Sequence, residues 1–180
     1  MPNKEHVLLL LRSVASGDCR FWNNWRIDHP TFLPQLSTLD LQQINLPFID
    51  LSRSDLKLAN FGEANLYRAN LEDSDLSGTV LQNSNLRKAN FQNSNLQRAS
   101  LRGADLRKVD LKGVLLTNAR LTDAIFDPDA LKELEDLCEG GMGRLERFAL
   151  QISRDKKANR QRKLYTVKFS DIFKNPLNID

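Results

Sequence analysis

Large apolar residues recur at one unvarying interval through the middle of this chain. From Leu41 to Phe126 every fifth residue is Leu or Phe, eighteen in succession. They are Leu41, Leu46, Leu51, Leu56, Phe61, Leu66, Leu71, Leu76, Leu81, Leu86, Phe91, Leu96, Leu101, Leu106, Leu111, Leu116, Leu121 and Phe126. A helix returns its apolar face after about 3.6 residues and a strand after about 2, and in a flat strand residues five apart point to opposite faces. A strict period of five therefore needs a bend in every unit, so that each large side chain re-enters one shared interior. The pattern predicts a mainly β solenoid. Leu56, Phe61, Leu66, Leu71, Leu76, Leu81, Leu86, Phe91, Leu96, Leu101, Leu106 and Leu111 form its expected core.

The residues around each apolar centre, i, refine the unit. At i−2 stand mostly small residues, running Ser54, Ala59, Ala64, Ala69, Ser74, Thr79, Ser84, Ala89, Ser94, Ala99 and Ala104. A narrow close-packed interior needs such room beside each Leu or Phe. At i−1 Asn or Asp dominates, as in Asp40, Asn45, Asp50, Asp55, Asn60, Asn65, Asn70, Asp75, Asn85, Asn90, Asn95, Asp105 and Asp110. Their side chains bond nearby backbone and tolerate turn geometry, so position i−1 is expected to form the corner.

The unit A-(D/N)-L-x-x resembles that of the pentapeptide-repeat family, with clear copies such as Ala-Asn-Phe, Ala-Asn-Leu and Ala-Asp-Leu. The resemblance covers roughly half the chain. It implies a right-handed quadrilateral β-helix with four repeats to a coil and positions i and i−2 inside, hence about four to five coils for residues 39–126. At the ~4.8 Å spacing of strands that is a rod on the order of 20 Å long. Ser54, Ser74 and Ser94, twenty apart, then stack on one face.

An open solenoid end exposes unpaired backbone and needs covering. Residues 1–38 are expected to do this at one end. Glu5 to Ser16 is amphipathic and stops at Gly17, and Trp22-Asn23-Asn24-Trp25-Arg26 follows. A similar W-N-x-W-R prelude often precedes the repeats in members of the family. Phe32, Leu33, Leu36, Leu39, Ile44 and Ile49 are bulky enough to widen the first coil against those helices. The two Trp residues could alternatively form a ligand-stacking site. At the other end Val109, Val114, Leu115, Arg120 and Ile125 break the pattern, which predicts a swollen last coil. Residues 127–180 are expected to add a helical hairpin. Its first helix is capped by Asp127-Pro128 and ends at Gly140-Gly141, and its second carries Leu145, Phe148, Ala149 and Ile152 on one face. Tyr165-Thr166-Val167-Lys168-Phe169 alternates like an edge strand, able to pair with this molecule, a second copy or a partner.

Composition narrows the function more than it names it. The chain has 180 residues, a net charge of +3 and two cysteines, Cys19 and Cys138. Two cysteines make no disulfide framework, and reduced thiols are expected. Val7 to Leu11 is too short to span a bilayer and lacks the form of a signal peptide. The expected location is the cytoplasm, with no membrane association and a monomer favoured over a dimer. His6 and His29 are the only histidines, no Cys/His spacing suits zinc, and no nucleophile–base pair can be read from spacing. Gly140-Gly141-Met142-Gly143 lacks the strand and the Lys-Ser/Thr of a phosphate loop. No cofactor and no enzymatic activity are expected.

Two surface features stand out. Four repeats per coil would gather Tyr67, Arg68, Arg87, Lys88, Arg107 and Lys108 into one basic stripe beside Asn65, Asn85 and Asp105. A tail run, Arg154, Lys156, Lys157, Arg160, Arg162 and Lys163, is opposed only by Asp155. Of these, the stripe and Arg160, Arg162 and Lys163 are the candidate partner-binding residues, although long charged side chains also keep a solenoid soluble. The first expectation is a non-catalytic scaffold for another protein. The family suggests a second, since some members imitate duplex DNA and bind or protect gyrase, but residues 39–128 hold eleven acidic and eleven basic residues. A third is nucleic-acid binding through stripe and tail.

Overall fold

The computed structural model describes residues 2–111, 113–127, 152–153 and 165–167. Parallel bridges tie residues twenty apart, beginning with Gln35 to Asp55 and ending with Asp105 to Ile125. Twenty residues are four units of five, so each unit turns the chain by about a right angle and four units close one coil. The apolar centres meet inside, with Leu56, Phe61, Leu66, Leu71, Leu76, Leu81, Leu86, Phe91, Leu96, Leu101, Leu106 and Leu111 all 2% exposed or less. The small i−2 side chains from Ser54 to Ala104 are buried beside them.

The backbone shows how each corner is made. Position i+2 has positive φ in all eighteen units from Thr38 to Asp123, between 54° and 71°. The N–H of i+3 donates to the carbonyl of i, as from Ala69 to Leu66 at 2.9 Å. A positive φ at the second central residue is the signature of a type II turn. Phe48, Leu58 and Arg68 occupy this conformation, which costs an L residue about 1–2 kcal/mol. Bonds between coils offset that cost. In one unit Leu66 N–H donates to Asn85 O at 2.9 Å, Arg68 N–H to Arg87 O at 3.0 Å and Asn70 N–H to Ile49 O at 2.8 Å.

One N–H per unit, that of i+1, is left over, and the Asn or Asp at i−1 accepts it. Gln42 donates to Asp40 Oδ1 at 3.3 Å, Gly62 to Asn60 at 3.0 Å, and Arg107 to Asp105 at 3.2 Å. This corrects the expectation for i−1. Asn and Asp occupy the straight, bridged position and hold the following corner from outside it. Asn also donates its Nδ2 to the equivalent residue one coil earlier, from Asn65 to Asn45 at 2.7 Å and from Asn85 to Asn65 at 2.9 Å. Asp has no such donor. Where Asp75 follows Asp55, Lys57 bridges the two carboxylates at 3.3 and 4.0 Å.

Two helices lie against the first coil. Helix α1 (Lys4–Ser16) starts where Asn3 Oδ1 accepts the Glu5 N–H at 2.9 Å, and it ends at Gly17, whose φ of 64° lets its N–H reach back to Ser13 and Val14 carbonyls. Helix α2 (Arg20–Asp28) follows, its first turn held by Asp18. With no earlier coil to pair with, the first coil bonds to these segments instead. Gln35 N–H donates to His6 Nδ1 at 3.0 Å, and Gln35 O accepts from Asn3 N–H at 3.0 Å. Trp22 Nε1 donates to Asp50 O at 2.5 Å. Asn23 accepts from Asp50 N–H and donates to Phe48 O, both at 2.9 Å. Arg26, 4% exposed, donates to Phe32 O and Ser52 O at 2.8 Å each. Its Nε has no hydrogen-bond partner and lies 3.7 Å from an Asp50 carboxylate oxygen. Burial lowers the guanidinium's pKa, and Asp50 opposes that shift.

The tryptophans make no open ligand site, because Trp22 is fully buried and Trp25 is flanked by His29 at 4.8 Å, Phe32 at 5.1 Å and Trp22 at 5.5 Å between ring centroids. Leu36, Ile44 and Ile49 enter the core, while Leu33, expected with them, is 52% exposed. Phe32 lies at the edge against His6, 4.4 Å away.

At the far end Val109 and Val114 are buried, and strand β1 (Ile125–Phe126) lies on the last bend. Strands β2 (Ile152–Ser153) and β3 (Tyr165–Val167) join it in an antiparallel sheet of order β1-β3-β2. The tail strand thus pairs with this molecule, Tyr165 opposite Phe126 and Thr166 opposite Ile125. Ile152, expected on a helix, belongs to β2; a backbone paired between chains overrides the local helical spacing. The first predicted C-terminal helix, Gly140-Gly141 and the remaining residues of the second helix lie outside the described residues.

Two predictions follow from the helix contacts. Replacing Asn23 by Ala strands the Asp50 N–H and the Phe48 carbonyl, so the urea midpoint should fall by the equivalent of about 1–3 kcal/mol with an unchanged m-value. Burial holds the His6 pKa below its ordinary 6.5, and Glu5 pulls it back only partly. Its neutral form accepts from Gln35, so the unfolded chain takes up the proton first. Stability should be full above about pH 6.5 and decline as the pH falls below it. The difference between wild type and His6→Gln, measured by urea unfolding at several pH values, should show that slope.

Candidate partner-binding face

The side of the rod built on Leu46, Leu66, Leu86 and Leu106 carries the predicted stripe. Because bridged positions repeat every twenty residues, its i+1 column reads Pro47, Tyr67, Arg87 and Arg107, and its i+2 column Phe48, Arg68, Lys88 and Lys108. The i+2 residues have φ of 65°, 57°, 59° and 59°, which turns them outward at the corner. Phe48, Arg68, Arg87 and Lys108 are exposed, and Tyr67, Lys88 and Arg107 are half-buried.

The six stripe residues share this side but differ electrostatically. Arg107 donates through Nε to Asp105 Oδ1 at 2.8 Å and through Nη2 to Asp105 Oδ2, so its charge is neutralised and its pKa is raised, chiefly by these bonds. Asp105 is available because it cannot extend the amide ladder from Asn85. Arg107 is therefore a closed ion pair, which corrects its place in a uniform basic stripe. Lys108 is anchored through its backbone, whose N–H donates to Asp127 at 2.5 Å. Among the described residues no ion pair engages the side chains of Arg68, Arg87, Lys88 or Lys108.

Sequence reading missed Phe48, 52% exposed at the foot of the i+2 column. Its ring meets Tyr67 edge to face at 5.6 Å, and the Arg68 guanidinium lies 5.7 Å from the Phe48 centroid and 5.8 Å from that of Tyr67. Such contacts add about 0.5–1 kcal/mol at exposed sites and hold the arginine head in place. Asn23 fixes the Phe48 carbonyl, so α2 steadies this corner. The available signal was an outward aromatic twenty residues before Arg68. Arg160, Arg162 and Lys163 lie outside the described residues. Among the described residues no group of His, Cys, Asp and Glu could hold a metal ion, and no helix is long and apolar enough to cross a membrane.

A coil of four five-residue units with buried i and i−2 defines a quadrilateral β-helix. The family model described as Pentapeptide repeats matches in eight copies over residues 35–73, 64–103, 74–113 and 94–127, just over half of the chain. The chain belongs to the pentapeptide-repeat family, and its helix is of the family's right-handed quadrilateral kind.

No curated protein matches the chain. Solved structures do. A pentapeptide repeat protein from the Arabidopsis thaliana thylakoid lumen is 32% identical over 56% of this chain and 74% of its own, with a TM-score of 0.37. The Nostoc protein alr5209 is 34% identical over 47% of this chain and 81% of its own, with a TM-score of 0.39. HetL of Nostoc, a pentapeptide repeat protein involved in heterocyst differentiation regulation, is 32% identical over 52% of this chain and 47% of its own, with a TM-score of 0.30. At such TM-scores these likenesses carry no argument about function. The lumenal protein does correct the expectation of a cytoplasmic location, since this repeat is also found inside a thylakoid. The repeat is chosen by its packing, which is indifferent to compartment.

Proposed function

We propose that this protein is a non-catalytic scaffold, a rod of about four and a half coils closed by α1 and α2, that binds another protein through Phe48, Tyr67, Arg68, Arg87, Lys88 and Lys108. One observation carries the reading: free cations stand beside an exposed aromatic pair on a side that backbone bonds hold rigid. Elsewhere cations are occupied, as Lys57 is by Asp55 and Asp75. A rigid face with cations already ordered loses little entropy on binding. Imitation of DNA toward gyrase is a poor fit, because the rod's acidic and basic residues are equal in number.

Affinity capture from native cells should test this, comparing the full chain with Arg68→Glu/Arg87→Glu/Lys88→Glu. All three residues are on the surface, so the variant should unfold within about 0.5 kcal/mol of wild type. A specific protein held by wild type and lost from the variant supports the face. The same captured proteins from both would refute it. Capture of nucleic acid alone, released by salt, would turn the reading to a polyanion surface.

A further inference from the structure

The spacing of the free cations specifies what kind of protein segment fits them. Arg68, Lys88 and Lys108 occupy one column, each a coil above the last, so their attachment points rise by about 4.8 Å per step. Two steps cover roughly 10 Å. On an α-helix, side chains at i and i+4 lie about 5–6 Å apart, and i to i+7 rises about 10.5 Å. In an extended peptide, residues on one side recur at roughly 6.6–6.8 Å, so two intervals reach about 13 Å and miss the third cation. Single-stranded nucleic acid would use a series of aromatic platforms for successive bases. This face has one aromatic cluster, at the Phe48 end only.

We propose that the face receives an α-helix of a partner protein, laid along the rod axis, with acidic side chains at i, i+4 and i+7 opposite Arg68, Lys88 and Lys108. An apolar side chain one helical turn beyond the first acid covers Phe48 and Tyr67. Arg87, in the adjoining column, pairs with a further carboxylate at the helix flank. Arg107 takes no part, because Asp105 already holds it. The contact between the Arg68 guanidinium and both rings sets that head between the apolar and acidic ends of the face, and this orders the helix register.

The inference rests on the scaffold reading above, and its test is separable from that one. A synthetic helical peptide would carry Leu one turn ahead of three Glu at i, i+4 and i+7, with Ala, Gln and Lys elsewhere for zero net charge. A scrambled peptide of the same composition would distribute the Glu around the helix. Binding of each labelled peptide to the full-length protein is read by fluorescence anisotropy at about 0.15 M salt.

The patterned peptide should bind at least tenfold tighter than the scramble. Arg68→Glu/Lys88→Glu should lose at least tenfold and Phe48→Ala at least threefold, while Arg98→Glu, on another side of the rod, should change nothing. Each variant's thermal midpoint checks that it is folded. Equal binding of the two peptides, or indifference to Arg68→Glu/Lys88→Glu, would overturn the proposal. So would a single-stranded oligonucleotide that binds tighter than the patterned peptide and is lost in the same variants. If the peptides fail while cellular capture still depends on Arg68, Arg87 and Lys88, the scaffold stands and only the acidic helix falls.

Discussion

Each unit of five residues brings five backbone N–H groups, and the structure depends on finding an acceptor for all of them. The next coil takes two, the previous coil takes one, and the turn within the unit takes another. The fifth, at i+1, points away from every carbonyl and is taken by the side chain at i−1. Buried and half-buried backbone groups without partners are costly, so this last bond is what permits a right-angled bend every five residues. Asn and Asp have the reach to make it. Val80 and Ser100, which replace them, leave no recorded acceptor for Gln82 and Arg102 N–H, and both of those residues are exposed, where water serves.

The same accounting explains the N-terminal segment. A first coil lacks a predecessor, and α1 and α2 place side chains where that coil's backbone would have been. Trp22, Asn23 and Arg26 take the groups of Phe48, Asp50 and Ser52, and Asn3 and His6 take those of Gln35. The Trp-Asn-Asn-Trp-Arg stretch is therefore a set of hydrogen-bond donors and acceptors at helical spacing. Fully buried Trp22 and nearly buried Arg26 are retained in the interior because their polar atoms find backbone partners there.

The candidate face follows from exceptions to that regularity. Amide ladders need Asn above Asn, and Asp105 ends one by having no proton to give; it binds Arg107 instead. The cations on either side have no such partner. Pro47 has no N–H at i+1, so this corner makes no demand on Asn45, which accepts from Asn65 alone. The face thus combines backbone order with unbalanced charge, the condition under which a solvent-exposed column becomes a recognition surface.

Much of this was legible in the one-dimensional pattern, and the limits are physical. Period five identified the interior, because only a bent, repeating chain returns every fifth side chain to one core, and the small i−2 residues agreed with it. The need for Asn or Asp at i−1 was legible; their part in the corner was not, since a left-handed residue at i+2 leaves no mark when Phe48, Leu58, Arg68 and Lys88 all adopt it. The sequence could place six stripe residues on one side once four units made a coil. Tertiary structure alone decided that Arg107 is neutralised, that Phe48 and Tyr67 hold Arg68, and that Tyr165–Val167 returns to β1. Composition along the chain determines what must be buried, since burial is a property of each residue type. Which charges remain free is settled by neighbours twenty residues away, and only the coil brings them within bonding distance.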